Sequence, residues 1–454
     1  MFMPNLIFSN ISNFIWSYFF LPALFVCAIL LSIGCRGIQF KKFGYAMKHT
    51  VGKSILRSDA SNKGVSSFQA AATALGSTVG TGNIVGTAQA ICLGGPGALF
   101  WLWTAALISM IVKYAEICLA IYFRKTVPGY GPMDYIRQGL HSKKLALFYG
   151  VMALLSSLSM GNISQVSSIT DSFLAMINAF SYGPDICRIS ARLSIGLAIA
   201  ALTLILLTGG TKRITKWAEL LVPFMLVLFI CVSLTVIGCN INKLPDVIKT
   251  VFIEAFSPGS ICAGISGVST AKCIQWGFRR SAFSNEAGLG TSAIAHASAE
   301  TVKAAEQGLW GIFEVFADTI IICSCTSLCI LCSGIDIPWG SITGTNLYLY
   351  SLETVFGEKI SAFLLTLFMG LFAYTSIMAW ALYGSRCTEY IFGEKICGFY
   401  RFTFIVLLVI GSVLPTSYVW EIADFINAIM SIPNLIALII LSPIVFSISK
   451  NSFS

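Results

Sequence analysis

One stretch limits the folds open to this chain more than any other. It runs from Gly76 to Gly86 and reads GSTVGTGNIVG. It lies inside an apolar segment, 68–92, long enough to cross a bilayer. Glycine in a helix interior costs about 1 kcal/mol relative to alanine. Glycines at 76, 80, 82 and 86 therefore predict a helix that unwinds midway. Unwound backbone at membrane depth is tolerated only where it is buried in protein or lines a cavity. There, freed N–H and C=O groups can hold a small charged solute and an ion. A close helix–helix crossing through small residues is the other structure open to such a stretch.

The rest of the chain fits a membrane setting. Of 454 residues, 56% are hydrophobic and 11% charged, where a soluble domain averages about 25% charged. The reading is an all-α polytopic membrane protein with no inserted soluble domain. The net charge of +9 does not indicate nucleic acid, because Lys and Arg cluster in short loops between apolar runs. The apolar run from Phe14 to Ile33 lacks a basic n-region and a cleavage site, and reads as a retained span. About eleven spans are predicted: 14–34, 66–93, 97–123, 146–180, 191–209, 217–239, 262–303, 308–334, 360–385, 399–417 and 419–447. Loop charge places the N-terminus outside and the C-terminus in the cytoplasm. The segment from Gly37 to Ile55 is basic and partly apolar, fitting a membrane-surface segment or a solvated linker. The 15 cysteines lie mostly in apolar runs and read as small core residues; neither metal cluster, disulfide nor cofactor is expected.

A second break is predicted within 262–303. Its centre is Ser284–Asn285–Glu286–Ala287–Gly288–Leu289–Gly290, with apolar sequence on both sides. The two breaks stand five spans apart. With the first span set aside, they open two five-span halves. Five is odd, so the halves have opposite orientation, an inverted repeat of the kind transporters use to build a central site. The divisions expected are 1–65 (extra span and basic segment), 66–239 and 240–447 (the two halves), and a short tail, 448–454. Charges inside the spans need partners. Lys113 and Glu116 are spaced to pair along one helix, and Glu314 and Asp318 to share a face. Arg279 and Arg280 need water or an acid, and Glu286 is the nearest acid in sequence. Asp318 suits a gate, a relay or a structural bond. Glu286 suits bracing the broken backbone, and His296 a satisfied core position.

VGTGNIVG, GGPGALFWLW, KYAE, GYGPMDYI, FSNEAGLG and FADTIIIC, ordered along the chain, resemble the alanine or glycine:cation symporter family, also called sodium:alanine symporters. The resemblance implies a leucine-transporter-like fold of the amino acid–polyamine–organocation superfamily. It implies a substrate carboxylate on the backbone of Gly80, Thr81 and Gly82, with Asn83 as a side-chain ligand. It also implies Phe283, Ser284 and Gly288 from the second break, Gln165 from GNISQ, and Trp380 from TSIMAW. For sodium it implies carbonyls of Gly76 and Val79 with hydroxyls of Thr375 and Ser376. The chain departs from the family pattern at Arg280–Ser281–Ala282, at Tyr130–Gly131–Pro132–Met133, and at Thr291–Ser292–Ala293–Ile294, which lacks the usual proline.

The function expected is a sodium-coupled symporter importing alanine or glycine by alternating access, in a bacterial plasma membrane. Its partners are a small neutral amino acid, Na+ and lipid. A proton-coupled carrier of the same fold is the alternative. A membrane-embedded enzyme is remote, since the chain has three histidines and neither H-E-x-x-H nor G-x-S-x-G. A channel is disfavoured by the lack of a repeated filter sequence.

Overall fold

A computed structural model describes residues 11–12, 14–52, 64–180, 188–256, 270–340, 346–414 and 416–453. The expected start of the seventh span, 262–269, lies outside them, as does the basic stretch 53–63. Among the described residues regular structure is helical, apart from one isolated parallel bridge between Val65 and Ala299.

Among the described residues, nine continuous helices are long and apolar enough to cross a membrane. They are α1 (Ile15–Gly34), α4 (Ala98–Phe123), α5 (Lys143–Phe180), α6 (Ile189–Thr208), α7 (Gly210–Cys239), α10 (Ala304–Ser333), α11 (Glu358–Phe392), α12 (Glu394–Val413) and α13 (Val419–Ile440). The first glycine-rich segment is split into α2 (Ser67–Thr78) and α3 (Gly82–Gly94), and the second into α8 (Thr270–Asn285) and α9 (Thr291–His296). Each half is too short to span alone. The expected total of about eleven therefore counts each broken segment as one crossing. A last helix, α14 (Ser442–Phe453), follows α13.

Local sequence explains where α2 starts and stops. Ser66 and Gln69 form a capping box: each side chain bonds the other's backbone N–H at 3.1 Å. The helix ends at Thr78, where Val79 turns to φ −76°, ψ 83°. Three spans hold π-helical turns: α1 opens with one at Ile15–Phe20, and one is inserted midway at Ser159–Ile163 in α5 and at Phe316–Cys323 in α10. A π turn shifts every later side chain round the helix and is common at functional sites.

Burial sorts the spans by position. In the most apolar window of α4, 78% of residues are buried, against 28% for α1 and for α6. So α4 is an axial helix, packed against α8, α10 and α9, while α1 and α6 face outward. The half-helices sit centrally too: α3 packs on α8, and α2 on α7 and α11. This arrangement points both breaks toward the same interior.

Candidate substrate and ion site

The first break is a three-residue gap, Val79–Thr81, between two helix ends. The amides of Thr81 and Gly82 open α3, and among the described residues neither has a hydrogen-bond acceptor. Such N–H groups, with the helix dipole behind them, favour a carboxylate. The Gly80 amide differs, since Asn83 Oδ1 accepts from it at 2.9 Å. Gln165 and Trp380 approach from α5 and α11. Thr81 donates its hydroxyl to Gln165 Oε1 at 3.2 Å, and Gln165 Nε2 donates to the Met160 carbonyl at 3.2 Å in the π turn. The Trp380 ring packs over Gly161, in the place a side chain there would take. Its indole N–H is buried without an acceptor among the described residues.

Asn83 was expected as a ligand, yet its side chain is already engaged. Besides holding the Gly80 amide, its Nδ2 donates to Ser284 Oγ at 2.9 Å and Asp318 Oδ1 at 2.7 Å. Ser284 and Thr319 then donate to Asp318 Oδ2 at 2.8 and 2.9 Å. One carboxyl in the π turn of α10 thus ties the two breaks together through Asn83 and Ser284. Sequence reasoning flagged Asp318 as an intramembrane acid; besides its neighbour Thr319, its partners Asn83 and Ser284 lie in other helices. Glu314, one π turn away, has different bonding partners, His296 and Lys113.

The four residues implied for sodium come together in part. Ser376 Oγ lies 3.1 Å from the Gly76 carbonyl, 3.3 Å from that of Ser77 and 3.0 Å from that of Phe372. Thr375 Oγ1 lies 3.0 Å from the same Phe372 carbonyl. Gly76 lets the helices meet: a Cβ there would stand 3.3 Å from Thr375 Cβ. Val79 is fully buried at the turn, with its own N–H bonded to Leu75. The corner is a set of neutral oxygens, the donor type that suits a hard monovalent cation.

The second break departs from expectation. Phe283 reaches the first break: its ring lies 3.6 Å from where a Cβ on Gly82 would stand. Gly288 does not. At φ +89° it faces Leu24, Leu435 and Phe20, so it packs against α1 and α13 rather than lining the site. Its amide and that of Gly290 donate to Glu116 Oε1 at 2.9 and 3.1 Å, and Asn434 Nδ2 donates to the same oxygen at 2.7 Å. Glu116 is therefore spent on this loop and does not pair with Lys113. Lys113 instead donates to the Asn285 carbonyl at 2.6 Å and pairs with Glu314 at 3.4 Å. Glu314 also meets His296 Nε2 at 2.5 Å, and Gln307 bonds the other ring nitrogen at 2.7 Å, so His296 is a satisfied core residue. Glu286 accepts from Thr291 at 2.5 Å, bracing the break as expected.

The site is closed at both ends. Thr81, Asn83, Gln165, Phe283, Ser284 and Trp380 are all 4% exposed or less. On one side Phe283 packs on Trp16 and Trp420, ring centres 6.3 and 5.7 Å away. Arg279 there pairs with Asp424 at 2.9 Å, not with Glu286. Arg280 stands 5.3 Å from the Trp276 ring and 5.7 Å from Phe283, held by cation–π contact. On the other side Tyr383 donates to Ser77 Oγ at 3.0 Å, and the foot of α2 is fastened at the Val65–Ala299 bridge.

Comparison with known proteins agrees with this architecture. Residues 1–453 match the profile of the sodium:alanine symporter family. An uncharacterised transporter of Haemophilus influenzae is 36% identical, with 98% of this chain and 96% of that protein covered. The sodium/alanine symporter AgcS of Methanococcus maripaludis is 34% identical over 97% of this chain and 96% of its own. A probable sodium/glutamine symporter, GlnT of Bacillus subtilis, is 33% identical over 97% and 89%. Among solved structures, MhsT in complex with L-phenylalanine superposes with a TM-score of 0.57 at 13% identity, covering 85% of this chain and 98% of that one. A Na+-coupled sialic acid symporter in a substrate-bound outward-open state gives 0.54 at 11% identity, covering 92% and 98%. These structures share the leucine-transporter-like fold of inverted five-helix repeats, and the relatives are transporters, not enzymes. With its two broken helices meeting at a buried site, this multi-pass membrane protein belongs to the sodium:alanine symporter family of cation-coupled amino acid symporters.

Proposed function

We propose that the chain imports a small neutral amino acid, alanine or glycine, together with sodium, by alternating access. The observation that carries this reading is the adjacency of two half-sites at one break. Unaccepted amides at Thr81 and Gly82 suit a carboxylate, and one turn away the Gly76 and Ser77 carbonyls meet the Ser376 hydroxyl. A zwitterion and a monovalent cation need those two kinds of group side by side. In this reading the carboxylate rests on Thr81 and Gly82, with Gly80 giving it room. Gln165, Phe283 and Trp380 bound the pocket and limit its size. Asn83 and Ser284 hold the two breaks in register through Asp318. Sodium takes the carbonyls of Gly76 and Val79 with the hydroxyls of Thr375 and Ser376. The N-terminus lies outside and the C-terminus in the cytoplasm of a bacterial plasma membrane, consistent with the basic loops.

Uptake of labelled alanine and glycine into proteoliposomes tests this. A sodium gradient at fixed pH on both sides should drive accumulation, and potassium in its place should not. One observation favours a second reading: a carboxyl, Asp318, bonds residues of both breaks. Accumulation driven by a pH gradient without sodium would make protons the coupling ion and displace the sodium assignment.

A further inference from the structure

The sequence holds no Asp or Glu before Asp59 and none after Asp424. These two acid-free ends meet in the fold. The turn after α1, the short helix Ile38–Lys41 and the last helix α14 together enclose a pocket of about 530 Å³. Its walls are built rather than incidental. The Phe446 ring fills the place a side chain on Gly34 would take. Ser449 is fixed by the Tyr114 hydroxyl at 2.8 Å, and Phe453 packs edge-on against Tyr45 at 6.0 Å.

Four cationic side chains line it: Arg36, Lys41, Lys42 and Lys450. Lys42 stands 5.9 Å from the Tyr45 ring. The other three have no hydrogen bond or ion pair with any described residue. Glu306, an acid of neighbouring α10, is paired with Lys303 at 2.9 Å. Like charges gathered in one concavity repel one another and focus a positive potential on it, which an anion relieves. Ile33 and Phe40, each next in the chain to a lining residue, are 74% and 59% exposed. A basic pocket beside exposed apolar side chains, at the end of a membrane span, matches a phosphate group attached to acyl chains.

We propose that this pocket binds the phosphate headgroup of an anionic phospholipid, with its acyl chains along Ile33 and Phe40. The pocket lies at the Gly34 end of α1 and on α14, at the opposite end of α1 from Trp16, which packs on Phe283 at the substrate site.

Native mass spectrometry of the purified full chain tests the proposal. The probes are phosphatidylglycerol, phosphatidylcholine with the same acyl chains, and inorganic phosphate. Wild type should retain phosphatidylglycerol in clear preference to phosphatidylcholine. The triple variant R36Q/K41Q/K450Q should lose that preference by about tenfold or more. Ser447→Trp lines the pocket with bulk while keeping every charge, so it should lose the preference without disturbing insertion. K143Q/K144Q/K212Q removes the same charge elsewhere and should keep it. Equal retention of the two lipids by wild type would overturn the proposal. So would equal loss in the K143Q/K144Q/K212Q control, full retention by Ser447→Trp, or displacement of the lipid by millimolar inorganic phosphate.

Discussion

The two breaks look alike in sequence and differ in what their glycines do. At the first break, Gly76, Gly80 and Gly82 all have negative φ. Their use is spatial. A Cβ on Gly80 would stand 2.9 Å from Ser376 Oγ, and one on Gly76 3.3 Å from Thr375 Cβ. At the second break, Gly288 and Gly290 take φ of +89° and +80°, and even Glu286 is left-handed at +55°. Their use is conformational. The first break leaves two amides open. The second spends its amides on Glu116. One break thus keeps two amides unspent, while the other fixes a chain reversal and lends Phe283 and Ser284 to the first.

The largest effect should come from cutting the tie between them. Asn83→Ala takes one of several partners from the Gly80 amide and from the Asp318 carboxyl, at about 0.5–1.5 kcal/mol apiece. Uptake should be lost and the melting temperature in detergent should drop. A normal uptake rate in a well-inserted Asn83→Ala protein would show that the two breaks work independently.

Next come Gly288→Ala and Gly290→Ala. A left-handed alanine costs roughly 1–2 kcal/mol, and neither site has space for a Cβ: the nearest atoms would lie at 3.2 and 2.7 Å. Folded yield should fall, and in the surviving protein the ratio of alanine to glycine uptake should stay as in wild type. A changed ratio would put Gly288 back at the substrate.

Ser376→Ala combined with Thr375→Val should raise the sodium concentration for half-maximal uptake by about thirtyfold, as expected for two lost oxygen contacts of about 1 kcal/mol each. Sodium dependence that does not move would place the ion elsewhere. Gly82→Ala should fold normally, because its methyl meets Phe283 at an ordinary 3.6 Å. It should still weaken alanine uptake more than glycine uptake, by up to about tenfold for one methyl in a pocket. Equal losses for both would make Gly82 a packing residue and erase the contrast with Gly288.

The smallest effect lies outside the spans, where Asp134 accepts from the Tyr130 amide at 2.6 Å. Burial lifts its carboxyl from 3.8 to about 6, against the lowering effect of that bond. The folded state therefore disfavours the ionised form. Its contribution to stability is full below about pH 4 and is lost as pH rises through about 6. Asp134→Asn keeps an acceptor and removes the ionisation. Its melting temperature relative to wild type should rise between pH 4 and 7, and a flat difference would refute the assignment.

The sequence showed the breaks because glycine against an apolar background is a local signal. It showed the meeting of Ser376 with Gly76 only through family resemblance, since 300 residues separate them. The roles of Glu116 and Lys113 were out of reach for another reason. Helical spacing pairs them, but each prefers a backbone partner that exists only once the second break has folded beside α4. The partners of Asp318 and Glu314 were out of reach because Asn83 and His296 come from other helices, and nothing in FADTIIIC announces the π turn that carries Asp318.

The fastening at the foot of α2 is made of main chain. Val65 bridges Ala299, and the Glu300 amide donates to the Val65 carbonyl at 3.0 Å. Arg124 orders the facing segment by donating to the carbonyls of Ala297, Ala299 and Thr301. A seal written in peptide groups is indifferent to which side chains drift in at those positions. Its strength is governed by how much freedom the two short segments regain on parting. Parting the two segments is then a question of chain entropy, opposed by the carbonyl bonds of a single guanidinium.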